Sequence, residues 1–165
     1  MKVAKRNDVA LVLIGRTAGE DRDNSDVAGS YRLSEEELQM IEKASNHFEE
    51  TVVVLNVGNM IDLSFMQRYN ISAVLYIWQG GGEGANALTD MLSGEISPCG
   101  KLPDTQVKKV DNQPCYKNFG NRDECIYEED IYVGYRYFET FAKDEVMFPF
   151  GFGLTYCLIC FISSS

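Results

Sequence analysis

Three apolar runs in the first half of the chain predict three buried strands. They cover residues 9–14, 52–57 and 71–78. Each run is rich in Val, Ile and Leu and nearly continuous, which is typical of strands buried on both faces of a sheet. Because parallel strands need long crossover connections, this pattern favours helices between the runs.

Helical patterns do lie between and after these runs. Ser34, followed three residues later by Glu37, forms a capping box, which marks the start of a helix. One apolar stripe then continues at helical spacing: Leu38, Ile41, Ala44, Ser45 and Phe48. A shorter helix is predicted over residues 61–69, and a third over residues 85–92, closed by Gly94. The alternation predicts an α/β fold with an open parallel sheet and right-handed crossovers.

The second half of the chain has a different character. All four prolines lie from Pro98 onward, among short polar loops. Residues 131–139 predict a strand that carries aromatic side chains, and residues 148–156 predict a tight turn packed with aromatics. Since no internal repeat or low-complexity linker divides the chain, residues 1–165 are predicted to belong to one domain.

Composition and charge narrow the choice of partners. With 45% hydrophobic and 24% charged residues, the 165-residue chain has a globular composition. Its formal net charge of −10 makes nucleic acid and anionic membrane surfaces poor partners. Residues 9–14 follow a short basic segment but lack a cleavage site, so they predict a strand rather than a signal peptide.

The cysteines indicate free thiols and a cytoplasmic location. Five are present at irregular spacing: Cys99, Cys115, Cys125, Cys157 and Cys160. An odd number without a secretion signal argues against a disulfide framework. Cys157 and Cys160 have the spacing of a metal-binding pair, but neither a second pair nor a nearby histidine completes a zinc site. We therefore expect no metal.

Polar side chains and one tryptophan follow the predicted strands. Ligands of open parallel sheets bind beyond the carboxyl ends of the strands, where the loops at 15–30, 58–59 and 79–84 would meet. That edge would hold Arg16, Glu20, Asp21, Arg22, Asp23, Asn59, Trp78, Gln79 and Glu83. Such groups suit a neutral polyhydroxylated ligand such as a sugar. The segment 15–23 either presents Glu20 as a general acid on a Gly-hinged loop or is a solvated charged loop.

Two other features of the sequence bear on its chemistry. Residues 80–85 read Gly-Gly-Gly-Glu-Gly-Ala, a weak match to the dinucleotide fingerprint. Glu83 would repel a bound phosphate there, so a tight turn with close backbone approach is the favoured interpretation. His47 is the only histidine and is expected at the surface. A Ser-His-Asp or Cys-His site would need it, which argues against a nucleophilic hydrolase of that type.

Six motifs in a fixed order carry a family resemblance. They are Ala-Leu-Val-Leu-Ile-Gly-Arg-Thr-Ala-Gly-Glu-Asp-Arg at 10–22, Val-Val-Val-Leu-Asn-Val-Gly-Asn at 52–59, Trp-Gln-Gly-Gly-Gly-Glu-Gly-Ala-Asn-Ala within 73–87, Leu-Ser-Gly-Glu-Ile-Ser-Pro-Cys-Gly-Lys-Leu-Pro-Asp-Thr at 92–105, Tyr-Val-Gly-Tyr-Arg-Tyr-Phe at 132–138, and the stretch 148–156. Together they resemble the C-terminal α/β domain of β-glucosidases of glycoside hydrolase family 3. The resemblance covers residues 8–156, nearly the whole chain.

This resemblance implies a three-layer α/β/α sandwich with a mainly parallel sheet. It also implies retaining hydrolysis of terminal non-reducing β-D-glucosyl residues, without a metal or organic cofactor. A (β/α)8 barrel supplies the nucleophilic Asp in the family, and this domain supplies the acid/base Glu on a Gly-Glu-Gly-x-Asp-Arg loop. Glu20 is the matching position, in a stretch two residues shorter. The expected substrate-binding residues are Arg16, Asp21, Arg22, Trp78, Gln79 and Glu83.

The chain also departs from the family pattern. The barrel and the first strand–helix unit of the sandwich have no counterpart, so we expect a fragment whose isolated form is inactive. Exposed apolar surface or a bare strand edge should then cause association into dimers or larger species. Two other functions fit the residues: a non-catalytic carbohydrate-binding module, and a nucleotide- or phosphosugar-binding protein that uses residues 80–85.

Overall fold

The structure, a computed structural model, describes residues 8–17 and 23–155. The chain forms two compact units, one extending to Gly84 and the other beginning at Ala85. The first unit contains a parallel sheet and a long helix. The second contains two short helices and a small antiparallel sheet. The predicted α/β fold with a mainly parallel sheet is confirmed.

The parallel sheet has three strands in the order β1-β2-β3. They are β1 (Val9–Gly15), β2 (Glu50–Asn56) and β3 (Ala73–Tyr76). Each of the three apolar runs therefore forms a strand, as predicted. The strands are adjacent in chain order and all parallel. The connections from β1 to β2 and from β2 to β3 are long enough to return the chain to the same end of the sheet, as parallel pairing requires.

Helix α1 (Glu35–His47) provides the first crossover. Its N-terminus is the predicted capping box: Ser34 Oγ accepts from the backbone N–H of Glu37, and the Glu37 carboxylate accepts from the backbone N–H of Ser34. These bonds satisfy two backbone donors that a helix start leaves unpaired. The helix packs on β1 and β2 and buries Ile41 and Ala44 against them. His47, at its last residue, is exposed as expected.

The three apolar runs predicted strands buried on both faces, and this prediction is wrong for β1. Its residues alternate strictly between exposed and buried. Val9, Leu11 and Leu13 are 49%, 59% and 58% exposed, whereas Val12 and Ile14 are buried on the opposite face. An unbroken apolar run shows that both faces of a strand are apolar, but it does not show that both are covered.

The helix predicted over residues 61–69 is also wrong. Only a single 3₁₀ turn forms there, at Ser64–Gln67. Ile61, Leu63 and Phe65 are all buried, at 1%, 4% and 1% exposure. This spacing of two is the period of extended chain, so the apolar residues of the segment face the core without a helix.

The second unit begins with α2 (Gly84–Ser93), whose first residue lies at the boundary between the units. The helix matches its prediction and ends at Gly94, where φ is 80°. Strand β4 (Gln106–Val107) pairs antiparallel with β5 (Val146–Phe148). No helix within residues 8–17 and 23–155 has the length and apolar character that a membrane span requires.

The predicted aromatic strand at 131–139 is instead helical in its second part. Helix α3 (Tyr135–Phe141) begins directly after Gly134, which has a φ of 62°. Tyr135, Phe138 and Phe141 are three residues apart, and Phe138 is buried. Aromatic residues are enriched in strands, which favoured the strand prediction. Tyr135, Phe138 and Phe141 nevertheless follow the spacing of a helix.

The aromatic turn after β5 is confirmed over its described part. The rings of Phe148 and Phe152 lie 4.8 Å apart, on either side of Pro149 and Gly151. Gly151 has a φ of 77°, which an L side chain rarely adopts.

Candidate functional site

The three parallel strands end together at one edge of the sheet. Leu55 of β2 is in register with Ile14 of β1 on one side and with Tyr76 of β3 on the other. The loops that leave this edge therefore start side by side, as expected for ligand sites in open parallel sheets. They carry six of the predicted residues: Arg16, Asp23, Asn59, Trp78, Gln79 and Glu83.

Arg16 follows β1 directly and is held by the start of α1. Its Nη2 donates to Glu37 Oε2 at 2.7 Å, and Nη1 contacts the other carboxylate oxygen. Nη1 also donates to the carbonyl of Gly15 at 3.0 Å. The side chains of Arg16 and Glu37 are only 15% and 19% exposed. This bidentate pair ties the end of β1 to the N-terminus of α1.

The surroundings of Glu37 favour its ionised form. Partial burial works to raise its pKa, but the hydrogen bonds from Arg16 and from the Ser34 backbone, together with the positive charge of Arg16, lower the pKa below its ordinary value. The carboxylate is therefore charged at neutral pH and neutralises Arg16. Arg16 thus reaches the site edge as half of an ion pair, with its guanidinium plane fixed.

An aromatic pair lies at the end of β3. The rings of Tyr76 and Trp78 are 4.5 Å apart and inclined by 44°. The hydroxyl of Tyr76 donates to the carbonyl of Asn59, in the loop after β2, at 2.6 Å. Burial raises the pKa of Tyr76 well above its ordinary value, which keeps the phenol protonated as a donor. Tyr76 thus fastens the loop after β2 and supports the tryptophan ring.

The backbone of Trp78 is unusual for a bulky residue. Its φ is 55°, in the left-handed region that favours glycine. Such a conformation costs on the order of 1–3 kcal/mol and persists only where the surrounding structure fixes it; functional sites are common examples. The half-buried indole combines a broad apolar face with one N–H donor, which suits a sugar ring.

The glycine-rich segment after Trp78 is a tight turn, as favoured from the sequence. A Cβ at Gly80 would lie 2.9 Å from the Cα of Gly84. The N–H of Gly84 donates to the carbonyl of Gly81 at 2.9 Å. Gly80 is therefore required for close approach of two backbone segments. Gln79 and Glu83 are exposed in this turn.

Three predicted residues, Glu20, Asp21 and Arg22, lie outside the described residues. The chain is anchored on both sides of them. Arg16 holds the side that precedes them, and Asn24 Nδ2 donates to the carbonyl of Met60 at 2.7 Å on the side that follows.

The sequence did not single out Tyr76, or Glu37 as a partner of Arg16. Tyr76 and Trp78 are two residues apart at the end of a strand, which could have suggested that they share a face. Glu37 was recognised only as a cap. Among residues 8–17 and 23–155, no cluster of three or more His, Cys, Asp or Glu side chains could hold a metal ion.

These features define an open parallel α/β domain whose polar and aromatic edge lies beyond the carboxyl ends of its strands. Residues 1–156 match the glycosyl hydrolase family 3 C-terminal domain. The chain belongs to this family, as its motifs predicted.

Curated relatives of the chain are β-glucosidases. The chain is 52% identical over 155 residues to a β-glucosidase of Ruminococcus albus, covering 94% of this chain and 16% of that protein. It is 42% identical over 132 residues to β-glucosidase A of Butyrivibrio fibrisolvens, covering 78% of this chain and 16% of that protein. The chain thus spans about a sixth of the length of these relatives.

Solved structures show the same fold. A β-glucosidase from Paenibacillus barengoltzii superposes with a TM-score of 0.90 at 49% identity, over 94% of this chain and 17% of that one. β-Glucosidase 3B from Thermotoga neapolitana, solved in complex with glucose, gives a TM-score of 0.86 at 37% identity, over 94% of this chain and 22% of that one.

Proposed function

We propose that this chain is the domain of a retaining β-glucosidase that supplies the general acid/base, Glu20, for hydrolysis of terminal non-reducing β-D-glucosyl residues. The observation that carries the proposal is the family match over residues 1–156, in a chain whose strand-end edge presents Trp78 and Arg16. A relative of the same fold was solved with glucose bound, which supports a sugar as the ligand.

Retaining glycosidases need two carboxyl groups about 5 Å apart. One attacks the anomeric carbon, while the other protonates the leaving oxygen and later deprotonates the attacking water. In this proposal Glu20 has the second role, and a (β/α)8 barrel domain of a larger enzyme contributes the nucleophilic Asp. The isolated chain, without that Asp, should not turn over substrate.

The remaining predicted residues would bind the sugar. Trp78 would offer its apolar ring to the C–H face, supported by Tyr76. Arg16, Asp21, Arg22, Gln79 and Glu83 would meet the hydroxyl groups. Because Glu37 already neutralises Arg16, the guanidinium would act as an oriented donor rather than as a net charge at the site.

A graft into a complete enzyme tests the role of Glu20. Residues 1–156 would replace the matching domain of the Paenibacillus barengoltzii β-glucosidase, with which they share 49% identity. Glu20→Ala should slow cellobiose hydrolysis by about 10²–10⁴, the usual contribution of general acid–base catalysis. Glycosylation by a dinitrophenyl glucoside should change far less, because that leaving group departs without a proton.

Azide distinguishes the acid/base from a binding residue. In Glu20→Ala, azide needs no base to attack the intermediate, so it should speed turnover and yield β-glucosyl azide. Glu49→Ala, an exposed carboxylate just before β2 and so at the opposite end of the strands, is the matched control and should retain cellobiose hydrolysis. Equal losses on both substrates, with no response to azide, would assign Glu20 a structural or binding role.

The isolated chain separates this proposal from the alternative of a carbohydrate-binding module. We expect no hydrolysis of an aryl β-glucoside by the 165-residue chain. Turnover that Glu20→Gln abolishes would contradict that expectation. The carbohydrate-binding module would be favoured by two results together. Glucose would quench the Trp78 emission of the isolated chain saturably, and the grafted enzyme would show no turnover.

Several partner and location assignments also remain proposals. The net charge of −10 supports the exclusion of nucleic acid and anionic membranes as partners. Free Cys99, Cys115 and Cys125 are compatible with the proposed cytoplasmic location. Three further expectations likewise stay predictions. The chain forms a single domain, it binds no metal or cofactor, and it associates with itself.

A further inference from the structure

The hydroxyl group of Tyr76 lies among backbone groups of the loop after β2. It donates to the carbonyl of Asn59 at 2.6 Å. Burial raises the pKa of this phenol, and a hydrogen bond from the backbone N–H of Ile61 opposes that effect. The hydroxyl thus has partners on both sides of Met60, whose own carbonyl accepts from Asn24 Nδ2 at 2.7 Å. Tyr76 therefore fixes the same loop that Asn24 holds from the chain after β1.

The Tyr76 ring is held at both of its ends. Its Cβ belongs to β3, and the pairing with β2 continues past it, because Ile77 N–H donates to the carbonyl of Leu55 at 3.0 Å. Its hydroxyl, at the opposite end of the ring, is fixed by the loop after β2. Rotation about χ1 would carry the hydroxyl away from Asn59, so the side chain stays in one rotamer.

The indole of Trp78 lies against this fixed ring. The two ring centroids are 4.5 Å apart, and the ring planes are inclined by 44°. The backbone of Trp78, with a φ of 55°, adopts a conformation that persists only where the surrounding structure determines it. Contact with the ring of Tyr76 is one such constraint, and the hydroxyl of Tyr76 keeps that ring in place.

Order in the unbound indole affects how tightly a ligand binds to it. Immobilising a side chain on binding lowers the affinity, and a ring that is already fixed avoids this loss. Trp78 is half-buried at the edge where the strands end, so part of its indole is open to a ligand. A sugar should therefore bind more tightly to Trp78 when Tyr76 holds the indole still.

We propose that Tyr76 is a positioning residue, whose hydroxyl keeps the Trp78 indole ordered as the surface on which a pyranose ring binds. The proposal rests on the proposed function for the nature of the ligand. The hydroxyl is committed to the backbone of the loop after β2, so Tyr76 acts through Trp78 rather than as a donor to the sugar.

A positioning role and a merely structural role have different kinetic consequences. Disorder of the indole weakens binding of the sugar in the ground state and in the transition state alike. It therefore raises KM and the inhibition constant of glucose and leaves kcat unchanged. General destabilisation instead reduces the fraction of folded enzyme, which lowers the apparent kcat and leaves the inhibition constant unchanged.

Competitive inhibition by glucose tests the proposal in the grafted Paenibacillus barengoltzii enzyme. Tyr76→Phe keeps the ring and removes only the hydroxyl. The inhibition constant should rise about two- to tenfold, the factor that corresponds to ordering one side chain on binding, while kcat for cellobiose is retained. Trp78→Ala should raise the inhibition constant at least as much.

Ile41→Val is the matched control for loss of stability. Ile41 is 0% exposed in α1, and the substitution removes one buried carbon atom far along the chain from the site. It should destabilise the fold to a degree similar to the loss of one buried hydrogen bond. The inhibition constant of glucose should stay at its wild-type value in this variant.

The full 165-residue chain gives a second readout, because Trp78 is its only tryptophan. In Tyr76→Phe, acrylamide should quench the Trp78 emission more strongly than in the wild type, and the anisotropy of the emission should fall. Ile41→Val should match the wild type in both measurements. Circular dichroism verifies that the two variants are folded.

A wild-type value of either the inhibition constant or the acrylamide quenching in Tyr76→Phe would overturn the proposal, as would the same changes in Ile41→Val. Trp78→Ala with unchanged inhibition would remove Trp78 from the sugar site and refute the proposal with it. Glucose inhibition requires no acid/base step. A failure of Glu20→Ala to discriminate between leaving groups would therefore refute the proposed function and leave these results unaffected.

Discussion

Replacing Glu37 by glutamine should destabilise the first unit by about 2 kcal/mol, in the range for hydrogen bonds to charged groups. The substitution preserves size, and glutamine can still serve as the third residue of a capping box. It removes the negative charge that Arg16 meets in a pair whose side chains are only 15% and 19% exposed. The loss is larger than for a surface pair because Arg16 is left partly buried without its counter-charge.

The size of this loss in unfolding free energy follows from the contacts of the Glu37 carboxylate. The carboxylate accepts from Arg16 Nη2 at 2.7 Å and from Ser34 N–H at 2.8 Å. Glutamine can keep one of these bonds, but its NH₂ group then faces a donor of Arg16. Chemical unfolding followed by emission of the single tryptophan, Trp78, reports on this unit. With a urea dependence of about 2 kcal/mol per molar, the midpoint should fall by about 1 M.

The loss of stability caused by Glu37→Gln should become smaller as the pH falls. The pKa of Glu37 is lowered in the folded chain, so the unfolded chain binds more protons near that pKa. The contribution of the ion pair is fully present above the unfolded value, about 4.3, and is lost as the pH falls through the folded pKa. The difference between wild type and Glu37→Gln should therefore be full at pH 7 and shrink below about pH 4.

Glu139→Gln is the matched control; because Glu139 lies in the second unit, its unfolding is followed by circular dichroism as well as by Trp78 emission. It removes an ion pair with Lys143 at 3.2 Å, whose side chains are 56% and 70% exposed. Exposed pairs of this spacing contribute about 0.3–0.5 kcal/mol, so its unfolding midpoint should hardly move. A Glu37→Gln chain that behaves like this control, or whose loss of stability is the same at pH 7 and pH 3, would show that the ion pair does not stabilise the first unit.

Two packing predictions concern the two units separately. Phe65→Ala should cost about 3–5 kcal/mol in thermal unfolding because Phe65 is 1% exposed, whereas Phe119→Ala, at 63% exposure, should change little. Gly153→Ala should destabilise the second unit by about 1–3 kcal/mol, since its Cβ would lie 2.3 Å from the Gly100 carbonyl oxygen. Gly81→Ala, with open space around its Cβ, is the comparison, and similar unfolding midpoints for both glycine variants would disprove the steric account.

Local signals were enough to predict the strands of the parallel sheet and the helices α1 and α2. The apolar runs formed strands because their Val, Ile and Leu content agrees with burial in a parallel sheet, and Ser34 with Glu37 fixed the start of α1. Gly94 likewise ended α2. At these positions the short-range preference and the tertiary structure agree.

The errors arose where distant contacts decide the outcome. Residues 135–141 contain β-forming aromatics, yet they form α3 because Gly134 turns the chain and Phe138 packs inward. The exposed face of β1 depends on what lies against it, which the strand's own sequence does not encode.

In the site, the sequence located the edge and its residues but not their arrangement. The contact of Tyr76 with Asn59 joins residues 17 positions apart, and the pairing of Arg16 with Glu37 joins residues 21 positions apart. Neither follows from spacing. The positive φ of Trp78 likewise depends on the fold around it.

The anchors at Arg16 and Asn24 have a consequence for how the intervening segment can evolve. Both anchors bind outside residues 18–22, to Glu37 and to Met60. Neither contact involves residues 18–22, so an insertion or deletion there leaves both contacts in place. In general, each doubling of the length of a flexible loop costs only about 0.6 kcal/mol. The segment that carries the proposed acid/base can therefore vary in length while its supports stay in place. A stretch two residues shorter than the family pattern is a change that such a scaffold tolerates.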